Sequence, residues 1–385
     1  MKTVRERKKC AGDARRVVVK VGSSLITDEH ELNEKKIDAL AETVSRHHGA
    51  GREMLITSSG AIAAGMAKLG LSRRPQNIPE KQAAAAVGQS YLMWAYERAF
   101  SLRGCQVAQI LLTQDEFSFR KRYLNARNTL FTLLSHGVIP VANENDSVAV
   151  EEIQVGDNDT LSATVACLAE ADLLLILSDV SGFYTADPHC EEGACLIPVV
   201  ERITDEVLSW AGGSTTGTGT GGMSTKLQAA RKSTDFGIPM VIADGRDPST
   251  ISRVLAGEDE GTLFLPQRQK MAGRKHWILH SIHPQGRIAV DGGAARAIAS
   301  GGKSLLPAGI TAVFGDFSAG DAVRIVGPDD REIARGLVNY TAGDVIRIKG
   351  LKSDRVRLVL GYTYDEVIHR DDLVLVEAER ALAGS

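Results

Sequence analysis

The chain has 385 residues, 43% hydrophobic and 24% charged, a globular composition with room for two or more domains. A formal net charge of −3 gives no bulk attraction to nucleic acid or an anionic membrane, and no apolar run reaches the ~20 residues of a membrane-spanning helix. The five cysteines, Cys10, Cys105, Cys167, Cys190 and Cys195, contain no C-x-x-C pair. That argues against a disulfide framework or a zinc site and fits a reducing cytoplasm.

The basic opening "MKTVRERKKCAGDARR" has no apolar stretch behind it, so residues 1–14 read as a flexible tail rather than a secretory signal. "RRVVVKVG" is a β-branched run stopped by glycine, and "NEKKIDALAETVSRHHGAG" has helical spacing with a glycine stop. "REMLITSSG" is strand-like and "KQAAAAVGQSYLMWAYERAF" a long helix. "CQVAQILLT", "VIPVANE", "DLLLILSD" and "IPMVIADG" read as strands, and "YLNARNTLFTLLSHG", "DTLSATVACLAEA" and "MSTKLQAARKSTDFG" as helices between and around them. Continuous apolar strands alternating with helices predict an α/β fold over 15–265, a mostly parallel sheet covered by helices on both faces.

The pattern breaks at "TLFLPQRQKMAGRKHW", which places a linker over 266–279. Beyond it, "GRIAVDGGA", "KSLLPAGITAVFG", "GDAVRIVGPDDREIARGLVNY" and "RVRLVLGYTY" read as short strands of a small barrel-like β domain over 280–365, with a C-terminal extension over 366–385. From Lys270 to Ser385 there are 16 Lys+Arg against 14 Asp+Glu, a near-neutral balance without the basic stripe that RNA binding calls for.

In a doubly covered sheet, ligands sit at the carboxyl ends of the strands. Polar residues collect there four times: Lys20-Val-Gly-Ser-Ser, Thr57-Ser-Ser-Gly, Asn143-Glu-Asn-Asp and Ser178-Asp179. "GTGTGG", Gly217 to Gly222, has the spacing of a dinucleotide fingerprint, but "ITDEVLSWAGG" before it reads as a helix where a strand is required. A glycine loop whose backbone N–H groups meet a phosphate at a helix N-terminus is the better reading, with Lys226 one turn into that helix. "AIASGGKS", 297–304, ends like a P-loop, lacks its first glycine and is read as a turn.

Lys20, inside a β-branched run, is costly unless its ammonium finds an anion or reaches solvent past the strand end. With Lys226 it suits the phosphates of a nucleoside triphosphate and the group in transfer. No histidine stands near a strand end of this half to serve as a base. A carboxylate acceptor needs none, being ionised already with a pKa of about 4.3. The row Asp157-Asn158-Asp159 opens a helix where one cap would suffice; the other polar groups, with Asn143 and Asp146, suit a zwitterionic substrate or the lysines.

These segments together resemble the glutamate 5-kinases of the amino acid kinase superfamily: "VVVKVGSSLIT", "SSGAIAAGMAKLG", "KQAAAAVGQS", "YLNARNTL", "IPVANENDSVA", "VGDNDTLSA", "LSDVSGFYTADP" and "GTGGMSTKLQAA". The β domain is similar to a PUA domain through "GRIAVDGGAARAI", "SLLPAGITAVFGDFSAGD" and "LGYTYDEVIHRDD". The resemblance implies phosphorylation of the γ-carboxylate of L-glutamate by ATP with Mg2+, the first step of proline synthesis from glutamate, with proline as inhibitor. It implies that Lys20 and Lys226 stabilise the transferring phosphoryl group and that Asp159 orients them. Ser59, Asn143, Asp146, Asp157 and Asn158 would hold glutamate. Ser178, Asp179, Thr220, Gly221, Gly222, Met223, Ser224, Thr225, Lys226 and Lys20 would meet ATP. Ser178 replaces a usual threonine and keeps the hydroxyl; "VGSS" replaces the usual "LGTS" and keeps the glycine and two small polar positions. No metal ligand is assigned. A cytoplasmic homo-oligomer is expected, and a regulatory or packing role for the PUA-like domain is favoured over RNA binding. An acetylglutamate kinase is disfavoured because its substrate has no ammonium for the acidic cluster, and a nicotinamide oxidoreductase because the fingerprint context is wrong.

Overall fold

The computed structural model describes residues 2–28, 31–73, 75–113, 120–147, 158–188, 190–191, 193–211, 222–267, 284–364 and 366–376. The chain divides into two compact units, Met1–Gln114 with Arg127–Lys270, and Asp115–Ala126 with Met271–Ser385.

The first unit is built on β1 (Arg16–Val21), β2 (Glu53–Ser58), β3 (Val107–Leu112), β4 (Ile139–Glu144), β5 (Leu173–Ser178), β6 (Val199–Val200), β7 (Met240–Asp244) and β8 (Thr262–Phe264). Their order in the sheet is β3-β4-β2-β1-β5-β7-β8-β6. All pairings are parallel except β7 with β8. The expected α/β architecture is therefore present. The short strands β6, at the sheet edge, and β8, beside it, have no counterpart in the sequence pattern, because two- and three-residue strands carry no readable periodicity.

The helices of the chain include α1 (Glu34–Gly49), α2 (Ala61–Leu69), α3 (Ile78–Ser101), α4 (Arg120–Ser135), α5 (Asn158–Leu168) and α6 (Met223–Asp235). Asn33 caps α1 by accepting from the N–H groups of Lys35 and Lys36, and Asn77 caps α3 by accepting from Glu80, with a proline in the first turn. Strand alternation then sorts the sheet's side chains. Val17, Val19, Val21, Met54, Ile56, Leu173 and Leu175 join one core with Ile37, Leu40, Leu92, Tyr96 and Phe100 of α1 and α3. Val18 and Lys20 point to the opposite face, where α5 lies against β1 and packs on α6.

Two expectations at the ends of the chain are corrected. The segment expected to be a flexible tail is helical over Lys2–Arg7 and Lys8–Gly12. The guanidinium of Arg7 is buried and donates to the backbone carbonyls of Glu260 (2.6 Å), Pro198 (2.8 Å) and Gly261 (2.7 Å). These partners lie far along the chain, so local sequence could not disclose them.

The second unit has its own core and a five-stranded sheet. Its strands are β9 (Gly286–Val290), β10 (Ile310–Gly315), β11 (Ala322–Val326), β12 (Glu332–Leu337) and β13 (Leu373–Leu375), in the order β10-β9-β11-β12-β13. Because β13 pairs with β12, the sheet reaches into the stretch expected to be an extension. Three helices also appear: α7 (Gly292–Gly301), α8 (Ala342–Ile348) and α9 (Ser353–Leu360). "AIASGGKS" is thus not simply a turn; it is the last turn of α7 and its left-handed glycine stop at Gly302 (φ 53°). "RVRLVLGYTY", expected as a strand, is mostly α9. Val356, Val359 and Leu360 meet the core at helical spacing while Leu358 faces out, a pattern that alternation imitates over a few residues.

Candidate active site

Helix α5 is made of small and apolar residues and is buried almost all round, so the carboxylate in its first turn, Asp159, is buried with it. Asp159 is 0% exposed and receives Lys20 Nζ at 2.6 Å on Oδ1 and Lys226 Nζ at 3.3 Å on Oδ2. Thr225 Oγ1 lies 3.1 Å from the same Oδ2 and 2.7 Å from the Gly222 carbonyl. Burial alone would raise the Asp159 pKa; the charges of Lys20 and Lys226 outweigh it and hold the carboxyl below its ordinary range. Two ammonium groups on one carboxylate sum to one positive charge at the carboxyl end of β1. The N-terminus of α6 adds its dipole, for Gly222 at the N-cap offers no side-chain cap and the first turn has no acid.

Beside this bridge is a cluster of neutral polar groups. Ser59 follows β2, its N–H held by the carbonyl of Val21 at the end of β1 (3.1 Å). Asn158 Nδ2 faces the carbonyl of Ser58 (2.9 Å), Ser59 Oγ (2.8 Å) and Asn143 Oδ1 (3.1 Å). Asn143 Nδ2 donates to Gln89 Oε1 on α3 at 2.7 Å. Ser58 Oγ is fixed from behind by the buried Tyr96 hydroxyl at 2.9 Å, and burial pushes the Tyr96 pKa up to about 12. Asp146, two residues beyond β4, has its pKa raised to about 6 by desolvation. A carboxylate poorly solvated by its own protein is one a substrate ammonium can complete.

Ser178 and Asp179 end the neighbouring strand β5, where Ser178 Oγ donates to Asp179 Oδ1 (3.1 Å) and the Ser178 carbonyl accepts from Gly245 N (2.8 Å). Arg246, in the turn after β7, pairs with Asp244 and feels the Asp179 charge; nothing in the sequence pattern singles it out. Gly222, Met223, Ser224 and Thr225 form the α6 N-terminus. Asp157, Thr220 and Gly221 lie outside the described residues. The structure therefore brings Lys20, Asp159, Thr225 and Lys226 together, and Ser59, Asn143 and Asn158 together. Gln89 and Tyr96 also escape a reading of the sequence, being ordinary members of a small-residue helix until the amide contacts are seen. The second unit holds a cavity of about 670 Å³ lined by both signs of charge, among them Asp291, Lys303, Glu366 and Arg370.

A buried carboxylate that collects two lysines, next to a cluster of side-chain amides and a helix N-terminus, is an arrangement suited to holding an anion. The amino acid kinase family model matches residues 15–244 and the PUA domain model residues 286–360, and the chain belongs to the amino acid kinase family. It is 51% identical to the glutamate 5-kinase of Geobacter sulfurreducens over 94% of this chain and 98% of that protein. It is 50% identical to the glutamate 5-kinase of Moorella thermoacetica over 97% of this chain and 100% of that protein. Among solved structures, carbamate kinase from Giardia lamblia bound to AMP-PNP aligns with 66% of this chain and 100% of its own, at 17% identity and a TM-score of 0.49.

Proposed function

We propose that the protein transfers the γ-phosphoryl group of ATP to the γ-carboxylate of L-glutamate, giving L-glutamyl 5-phosphate for proline synthesis. The observation that carries the reading is the Lys20–Asp159–Lys226 bridge, with full-length similarity to glutamate 5-kinases beside it. The lysines neutralise the charge that spreads over the phosphoryl oxygens in transfer, and Asp159 fixes their positions before the reaction begins. The acceptor oxygen attacks as the carboxylate it already is, so no proton has to be removed.

Ser59, Asn143, Asp146, Asp157 and Asn158 hold glutamate, with the Asp146 carboxylate meeting its ammonium. The α6 N-terminus from Thr220 to Lys226, with Ser178 and Asp179, holds ATP. Among the described residues no cluster of three or more His, Cys, Asp or Glu gathers to ligate a metal. Bound with ATP, Mg2+ would offset the charge of the phosphate oxygens. Proline, with a ring ammonium and an α-carboxylate, fits the same end of the pocket as an inhibitor. The protein works as a cytoplasmic homo-oligomer with the kinase domain at 15–265. The PUA domain serves regulation or packing, its charge being too balanced for RNA.

Incubation with ATP, Mg2+ and hydroxylamine tests the reading, with L-glutamate, N-acetylglutamate and L-aspartate as acceptors. Hydroxamate from L-glutamate alone is expected; product from a different acid overturns the substrate, and product from none overturns the reaction.

A further inference from the structure

The side-chain amides of Asn158, Asn143 and Gln89 form a chain whose orientation is set by backbone groups at its first two members. The N–H of Glu144 donates to Asn143 Oδ1 at 2.9 Å, and a backbone N–H can only donate, so Asn143 must turn its Nδ2 toward Gln89. The carbonyl of Ser58 can only accept, so Asn158 must turn its Nδ2 toward it and toward Asn143 Oδ1. Two atoms are left over. Gln89 Nε2, a donor, and Asn158 Oδ1, an acceptor, are both shut off from solvent and have no hydrogen-bond partner among the described residues. Native proteins rarely leave such groups unpaired without a use for them.

The two atoms lie at opposite ends of Asn143, one asking for an acceptor and the other for a donor. An α-amino acid presents that pair on a single carbon, a carboxylate and an ammonium. The direction of the substrate is set by the neighbours. Asn158 adjoins Asp159, where the lysines sit, and the chain Asn158–Asn143–Gln89 leads away from it toward α3. The carboxylate to be phosphorylated lies at the lysine end and the α-carbon at the amide end.

We propose that Gln89 is a specificity-determining residue whose side-chain N–H binds the α-carboxylate of the acceptor, while Asn158 Oδ1 accepts from its α-ammonium. This rests on the reading of the protein as a glutamate kinase and assigns to its pocket the group that recognises the non-reacting carboxylate. A site built around a hydrogen bond discriminates strongly against an analogue lacking the partner, because its own polar group is then left unpaired.

The test uses the full-length protein and two acceptors, L-glutamate and 4-aminobutanoate, which lacks only the α-carboxylate. In Gln89→Glu one carboxylate oxygen still accepts from Asn143, so the amide chain persists, but the donor becomes an anion facing the substrate. The glutamate-to-aminobutanoate ratio of kcat/KM should fall about 100-fold, with KM for ATP changed less than about 2-fold. Gln89→Met removes the donor without adding charge and should lower the ratio about 10-fold, which covers the case that the first variant does not fold. An unchanged ratio in a folded variant overturns the proposal, since a purely structural role would slow both acceptors alike. Failure of the wild-type protein to phosphorylate glutamate at all would instead overturn the parent reading, and this one with it.

Discussion

At the scale of single residues, the site's chemistry is set by which charges are buried and what meets them. Lys226→Ala removes one of the two cations on Asp159 and should lower kcat at least ~100-fold, the scale of losing a main electrostatic stabiliser, as steady-state kinetics would read. Asp159→Asn does something different: it leaves two buried ammonium groups facing each other and should destabilise the fold by about 3–5 kcal/mol in urea unfolding at pH 7. Because the folded-state pKa of Asp159 is depressed, the stability it gives is present above the unfolded carboxylate range and is lost as pH falls through the folded value. Asp146 behaves oppositely. Its folded pKa, about 6, stands above the unfolded ~3.9, so its ionised form disfavours folding once pH rises past that window. Asp146→Asn should therefore raise stability by about 2 kcal/mol at pH 7.5, an advantage that disappears by about pH 4, while raising KM for glutamate. Denaturant midpoints at the two pH values and a glutamate titration check both halves.

At the scale of elements, the crossing of α2 and α3 decides where the pocket wall stands. A Cβ on Gly88 would lie 1.8 Å from the carbonyl of Ala61, and one on Gly65 would lie 1.7 Å from that of Ala84. The helices touch backbone to backbone, which is why "AAAAVGQS" is so poor in bulk. Gly88→Ala must push α3 outward and carry Gln89 and Tyr96 with it. A loss of about 3 kcal/mol or more is expected, with KM for glutamate rising more than KM for ATP; thermal melts and kinetics on the same preparation would show it. The central strands were legible in the sequence because burial on both faces leaves continuous runs such as "VVVKV" and "LLLILS", interrupted only by the lysine that has a use. The bridge was legible in part: Lys20 stood inside a β-branched run and Asp159 in a row of three polar residues where one cap would do, while their pairing with Lys226 came from the resemblance. Gln89 was not: a glutamine on a helix breaks no local rule, and only its contact with Asn143 sets it apart. The N-terminal helix escaped notice because its anchor, Arg7, is satisfied by carbonyls from 191 to 254 residues away.

At the scale of the whole molecule, the two units bury separate cores, and the lysine bridge, the amide pocket and the uncapped α6 N-terminus belong to the first. Ligand binding stabilises only the states that bind, and by about 2.7 kcal/mol when the ligand is at a hundred times its dissociation constant. That free energy must enter where the contacts form. Saturating ATP should therefore slow hydrogen exchange at the amides of β1, β5, α5 and α6 by up to about 100-fold wherever exchange proceeds through unfolding of the first unit. Amides of β9, β11 and β12, whose hydrogen bonds close within the second sheet, should exchange at an unchanged rate. Equal protection of both sets would mean that the two cores unfold as one cooperative body, and the PUA domain would then contribute to the stability of the kinase site. Protection confined to the second set would move the nucleotide site to the cavity of that unit and break the link between the lysine bridge and ATP.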